Sequence, residues 1–215
     1  MDWRLWGELA ALYFALPAAL TALRATVLPR LPVIPVLWLV ALPAALWLGA
    51  DGLPKRELYG RLADLRHLPR ILLVAAVSAL PLAALLHAIA PEALLSLPRH
   101  HPGLWMLVMV CYPILSVFPQ GIIYRALFYR RYSGLFHSAQ ARRLAAALCF
   151  SFSHVFFLNE WALALTFIGG LIFSHAYERT GSVFLSNVAH AVFGDLVFTL
   201  GYGVFLYHGT LAMLS

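Results

Sequence analysis

The chain has 215 residues, of which 62% are hydrophobic and 11% are charged. Soluble globular domains are about 45–50% apolar and about 25% charged, so this composition excludes a soluble globular domain. The net charge of +6 does not predict a nucleic-acid partner, because the basic residues lie in loops between apolar runs, where they set membrane topology.

Apolar runs of about 20 residues predict an all-α, polytopic integral membrane bundle of about seven to eight transmembrane helices. The runs are continuous and rich in Leu and Ala, which excludes the alternating strands of a closed barrel. The predicted spans are 6–23, 32–50, 71–90, 104–128, 144–158 and 161–177, and 182–215 holds one long span or two short ones divided near 201–203. We expect an uncleaved first helix and a single membrane domain, 1–215.

The distribution of basic residues predicts the orientation. The N-terminus and the even-numbered loops carry twelve of the 15 Lys and Arg residues, and the odd-numbered loops carry three. This excess predicts a cytoplasmic N-terminus. The charged loop 51–70 has the pattern of a short amphipathic helix on an anionic leaflet, so we expect membrane lipid as a partner. The preference for Arg over Lys indicates a bacterial source and therefore the inner (cytoplasmic) membrane.

The two cysteines, Cys111 and Cys149, both lie inside apolar runs and lack a metal-binding spacing. We interpret them as small buried hydrophobic residues and not as reactive thiols.

Polar side chains inside spans need a physical reason, because a central charge costs about 2.5–3.5 kcal/mol on the insertion scale. The residues concerned are Gln120, Arg125, His154, His175, Asn187, His190 and Asp195. Each has a structural explanation when taken alone: Arg125 can reach the interface or pair with Asp195, and a lone histidine can be a packing residue. Together they predict a polar cavity, and polar cavities in membrane proteins are functional by default.

Residues 120–125 have the spacing of a family motif in which two glutamates are followed, after three residues, by arginine. Arg125 matches, whereas Gln120 and Gly121 stand at the two glutamate positions. Pro119 kinks the helix directly before them.

Two further motifs lie later in the chain. Phe150 and His154 match a phenylalanine four residues before a histidine. His190 matches a histidine that is followed four residues later by Asn or Asp, although Gly194 holds that position here and Asp195 comes one residue late.

With these motifs in order, the segment 104–203 resembles the CAAX protease and bacteriocin-processing family of intramembrane endopeptidases, also called the Abi family. The resemblance implies a helical-bundle hydrolase that activates water with a glutamate and histidines and cuts membrane-proximal peptide bonds. Its substrate would be a membrane-anchored or amphipathic peptide. The candidate catalytic residues are His154, His190, Arg125, Gln120 and Asp195.

The missing glutamates leave three explanations open, because a glutamine can orient water but cannot accept its proton. Asp195 or Glu160 supplies the carboxylate from another helix, or the chain keeps the cavity only to bind a partner, or a glutamate at position 121 has been replaced. No cofactor is predicted. A divalent metal such as zinc stays an open alternative, with His154, His190 and Asp195 as its ligands, although a catalytic zinc site needs three protein ligands and a water.

Three other functions compete with the peptidase. The first is a non-catalytic membrane scaffold or immunity-type binder that uses the same cavity. The second is a transporter with a proton relay, against which the lack of an internal repeat counts. The third is an exosortase-like transpeptidase that would use Cys111 or Cys149, which the motif spacing does not favour.

Overall fold

The structure is a computed structural model that describes residues 2–29 and 31–206, with the side chain of Leu62 left out. The described residues are 88% helical and contain no strand, which confirms the all-α prediction. The helices are α1 Trp3–Thr26, α2 Val33–Ala50, α3 Lys55–Tyr59, α4 Leu68–Ile89, α5 Ser96–His100, α6 Pro102–Leu135, α7 Ala139–Phe152, α8 Glu160–Thr180, α9 Val183–Leu200 and α10 Gly203–Leu206.

Five helical segments of the described chain are long and apolar enough to cross a membrane. They are Trp3–Thr26, Val33–Ala50, Lys55–Ile89, Pro102–Leu135 and Val183–Leu200. The predicted spans 144–158 and 161–177 correspond to α7 with the 3₁₀ turn Ser153–Phe157 and to α8. The integral membrane prediction is therefore confirmed. At the C-terminal end, α9 stops at Gly201, which has φ +115°, and the rest of the predicted last span, 207–215, lies outside the described residues.

Helix α6 is irregular along its length. Wide π-helical turns at Pro113–Val117 and Ile122–Tyr132 flank the short α-helical stretch Phe118–Gly121. Pro113 and Pro119 lack the backbone N–H that an α-helix would use at those positions, so the regular hydrogen-bond ladder is interrupted there. Such wide turns are frequent at functional sites. The irregular part of α6 contains Gln120 and Arg125.

Helices α7 and α8 pack closely because Gly170 has no side chain. A Cβ at position 170 would lie 2.9 Å from the Cα of Ala147. Small residues at such crossings let the backbones of membrane helices approach each other. This contact fixes α7, and with it Phe150 and His154, against α8.

Charged side chains tie several helices together at one end of the bundle. Glu178 at the end of α8 accepts hydrogen bonds from Arg143 and Tyr129, at 2.6 and 3.1 Å, and pairs with Arg142 at 3.5 Å. Glu8 of α1 pairs with Arg131 of α6 at 2.5 Å, and Asp51 after α2 pairs with Arg130. The aromatic core of the bundle includes Tyr13, Phe128 and Phe150.

Candidate functional site

A cavity of about 1290 Å³ lies between the helices and is lined by residues of α1, α2, α4 to α10 and the 3₁₀ turn after α7. Most of its lining is apolar. Among the described lining residues, Arg24 is the one charged side chain, and it donates to the Phe156 carbonyl at 2.7 Å. The uncharged polar lining residues are Ser78, Tyr112, Ser116, Gln120, Tyr124, Ser153, His154, Thr166 and His190.

Gln120 comes from the irregular part of α6 and is 9% exposed. Its Nε2 donates to Ser116 Oγ at 2.7 Å, one helical turn earlier. Its Oε1 is buried and has no hydrogen-bond partner in the described part of the chain. A buried acceptor without a donor is unfavourable by about 1–3 kcal/mol, so this oxygen is an unsatisfied polar group of a side chain that lines the cavity.

His154 lies in the 3₁₀ turn Ser153–Phe157, where the chain leaves α7. Its Nδ1 lies 2.8 Å from the Phe150 carbonyl oxygen. A carbonyl can only accept, so Nδ1 carries the proton and Nε2 keeps its lone pair. His154 therefore offers the cavity a neutral nitrogen base.

His190 is 7% exposed and lies on α9. Its Nε2 lies 3.0 Å from the hydroxyl of Tyr112 on α6. Its ring stacks on Phe173 with centroids 4.4 Å apart. Two contacts from different helices thus fix its position.

Phe150 joins the two histidines. Its ring lies edge-on to His154 at 4.8 Å and to His190 at 5.2 Å between centroids. The histidines of two separate sequence motifs therefore contact one aromatic ring, and both line the same cavity as Gln120.

Arg125 lies behind this aromatic wall and is not among the lining residues of the cavity. It is 2% exposed, and its guanidinium lies 5.2 Å from the ring centre of Phe150 and 5.9 Å from that of Phe173. Nη1 donates to the Tyr124 carbonyl at 2.8 Å, and Nε has no partner among the described residues. Arg125 supports the rings that hold the histidines through cation–π contacts.

Asp195 also lies away from the cavity lining. Its Oδ1 is buried without a partner, and among the described residues no ion pair joins it to Arg125. Glu160, the other suggested carboxylate, begins α8 and does not line the cavity either. Within the described residues, then, no carboxylate lines the cavity.

Side chains from other helices lie where side chains at Gly121 and Gly194 would be. A Cβ at position 121 would contact the carboxamide of Asn187, with Nδ2 only 2.6 Å away. A Cβ at position 194 would contact the ring of Tyr112, with the hydroxyl oxygen 2.5 Å away. Two motif positions that lack side chains are thus filled by polar groups from elsewhere in the chain.

Tyr112 and Ser116 were not among the site residues predicted from the sequence. Tyr112, Ser116 and Gln120 recur every four residues, which is the spacing of one helix face, and this was the available signal. The contact between Asn187 and Gly121 could not be predicted from a sequence spacing, because it depends on how closely α6 approaches α9.

The described residues contain no group of three or more His, Cys, Asp or Glu side chains that could hold a metal ion. His154 and His190 give two nitrogens, and Asp195 is absent from the cavity lining. The three protein ligands of a catalytic zinc centre are therefore not brought together at this site.

Fold and cavity together define a polytopic helical membrane protein with a histidine-containing polar site between its helices. Residues 102–194 match the family described as type II CAAX prenyl endopeptidase Rce1-like. This segment of the chain is therefore Rce1-like, and the resemblance to the CAAX protease and bacteriocin-processing family is confirmed. The match covers Gln120, Arg125, His154 and His190 and ends one residue before Asp195. No curated protein and no solved structure matches the chain.

Proposed function

We propose that the protein is an intramembrane endopeptidase-type protein whose cavity receives a membrane-proximal peptide, and that its hydrolytic activity is strongly weakened. The observation that carries this proposal is the presence of Gln120, His154 and His190 in the lining of one cavity within an Rce1-like segment. We place the protein in a bacterial inner membrane with membrane lipid around it, in keeping with its composition and loop charges.

Two acceptors on side chains that line the cavity lead us to propose a site for water. His154 Nε2 has a lone pair, and Gln120 Oε1 has no donor among the described residues. A water between them would direct one hydrogen to each, which leaves an oxygen lone pair for attack on a peptide carbonyl. His154 would then accept the proton that the water loses.

The lack of a carboxylate explains the weakening. Gln120 can hold water but cannot accept a proton, so His154 works without a carboxylate to support it. Proton transfer by a positioned side chain contributes about 10²–10⁴-fold to such a reaction, and we expect a loss of this order.

The second candidate is a non-catalytic binder that uses the same cavity. Asn187 and Tyr112 favour it, because their side chains fill the places beside Gly121 and Gly194. A cavity filled in this way still binds an apolar segment, and its polar groups are neutral ones suited to hydrogen bonds with a peptide backbone.

Cleavage assays on the protein in lipid nanodiscs test the proposal. The substrates are fluorogenic peptides with an apolar membrane-proximal segment, one set prenylated at the C-terminus and one set not. Four proteins are compared: the protein itself, Gly121→Glu, Gly121→Glu with Asn187→Ala, and that double variant with His154→Ala. Asn187→Ala is included because the carboxamide of Asn187 blocks the space that the glutamate needs.

We expect barely detectable cleavage by the protein itself and an increase of about 10²–10⁴-fold in the Gly121→Glu, Asn187→Ala variant. His154→Ala should abolish that gain. Tight peptide binding without cleavage in any variant would favour the binder, and the absence of both binding and cleavage would overturn both candidates.

A further inference from the structure

We infer that Tyr112 is a positioning residue of this site, which donates a hydrogen bond to His190 and so fixes both the tautomer and the orientation of its ring. Its hydroxyl lies 3.0 Å from His190 Nε2. Its place in a working site rests on the proposed function, whereas the hydrogen bond does not.

The direction of this hydrogen bond follows from the chemistry of the two groups. In the described part of the chain, His190 Nε2 is the acceptor that Tyr112 meets, and no second acceptor is within hydrogen-bond reach of its hydroxyl. A phenol O–H is a stronger hydrogen-bond donor than an imidazole N–H, and the bare nitrogen of a neutral imidazole is a stronger acceptor than a phenol oxygen, so the O–H···N direction is the favoured one. Tyr112 therefore donates, and His190 carries its own proton on Nδ1.

Gly194 makes this contact possible. It lies on α9, one turn after His190, and a Cβ there would lie 2.5 Å from the hydroxyl oxygen of Tyr112 and 2.7 Å from its Cζ. Any side chain at position 194 would push the tyrosine ring away from His190. Tyr112 and Gly194 thus act as a pair.

This geometry leaves the two histidines with different hydrogen-bonding groups free. His154 has its proton on Nδ1, bound to the Phe150 carbonyl, and offers Nε2 as an acceptor. The Nε2 lone pair of His190 is occupied by Tyr112, so that ring has only the Nδ1 proton to give. Under the proposed function, His154 accepts the proton of the water, and the Nδ1 proton of His190 is available to a substrate carbonyl oxygen.

Nitrogen NMR of the full chain in nanodiscs, with ¹⁵N-labelled histidine, tests the proposal. The chain has nine histidines, so the His190 signals are assigned by their loss in His190→Gln. In the protein itself we expect one tautomer, with the proton on Nδ1 and a hydrogen-bonded Nε2. In Tyr112→Phe, which removes one oxygen atom, the Nε2 resonance should shift towards that of a free lone pair and both tautomers should be visible.

Gly194→Ala is the second variant. It keeps Tyr112 and His190 but displaces the ring, so it should change the His190 signals in the same way. Tyr202→Phe is the matched control, because Tyr202 is a buried tyrosine that donates to the Leu82 carbonyl at 2.8 Å, away from His190. It should leave the His190 signals unchanged.

Unchanged His190 signals in Tyr112→Phe would overturn the proposal, as would a proton on Nε2 in the protein itself. In the Gly121→Glu, Asn187→Ala background, Tyr112→Phe should lower kcat with KM unchanged, because the donor to the carbonyl loses its orientation. If the Gly121→Glu, Asn187→Ala protein cleaves no peptide, the proposed function is overturned but the NMR result for Tyr112 still holds. Failure of the proposed function can therefore be distinguished from failure of the inference about Tyr112.

Discussion

At the scale of single residues, Gly121 decides how the polar site is filled. The missing Cβ gives room to the Asn187 carboxamide, whose Nδ2 would lie 2.6 Å from a Cβ at this position. Gln120 next to it keeps a buried oxygen without a partner among the described residues. Two amide side chains from different helices therefore meet at the first motif, where the resembling family has two glutamates.

Gly121→Ala should destabilise the protein by about 1–3 kcal/mol, because the added methyl group overpacks the contact with Asn187. Asn187→Ala in the same chain should restore most of the loss. The free energy of unfolding is measured by denaturant titration of each single variant and of the double variant in mixed micelles, and the double-mutant cycle gives the coupling between the two positions.

Gly103→Ala is the control for that cycle, because it lies in the same helix and a Cβ there meets nothing within 4 Å. It should be neutral or slightly stabilising. If Gly121→Ala lowers the free energy of unfolding by the same amount with and without Asn187→Ala, the two residues are not in contact.

The site could be predicted from the sequence only in part. Gln120, His154 and His190 stand out because polar groups in apolar runs are costly and therefore rare. Arg125 stands out for the same reason, yet it lies behind Phe150 and outside the cavity lining. Tyr112 was missed because a tyrosine in a membrane helix is not unusual, and its contact with His190 depends on how two helices cross.

At the scale of elements, the order of helices follows from the apolar runs, whereas the irregular course of α6 does not. Pro113 and Pro119 indicate a distortion but not its form. The π-helical turns Pro113–Val117 and Ile122–Tyr132 are seen in the structure and could not be predicted from the sequence. Their effect is to present Tyr112, Ser116 and Gln120 to the cavity.

Glu178 connects three of these helices at the charged end of the bundle. It accepts from Arg143 on α7 at 2.6 Å and from Tyr129 on α6 at 3.1 Å, and its own side chain is 11% exposed. Glu178→Gln removes the charge but keeps the shape. We expect the free energy of unfolding to fall by about 1.5–3 kcal/mol, which is the range for hydrogen bonds to charged groups. The same denaturant titration measures it.

Glu92→Gln provides the comparison, because Glu92 is exposed in the short 3₁₀ turn Pro91–Ala93. Exposed charges contribute little to stability, so this variant should match the unmodified protein within about 0.5 kcal/mol. Equal stability of the Glu178 and Glu92 variants would mean that the ionic cluster does not hold α6, α7 and α8 together.

At the scale of the whole molecule, the same ionic contacts bear on topology. Glu8 near the start of α1 pairs with Arg131, and Asp51 at the end of α2 pairs with Arg130. The N-terminus and the two basic loops therefore lie at one end of the bundle. The topology prediction requires these segments to share one side of the membrane.

Because short loops rich in Lys and Arg stay in the cytoplasm, we predict that this end faces the cytoplasm and that the turn containing Arg99 faces outwards. Cysteine accessibility checks this in a chain with Cys111→Ala and Cys149→Ala, which removes both native thiols. Arg99→Cys should react with a membrane-impermeant maleimide in intact cells. Lys55→Cys, the matched probe in the basic loop, should react only after permeabilisation. Labelling in the opposite order would contradict the prediction, because it would show that the basic end of the bundle faces the outside.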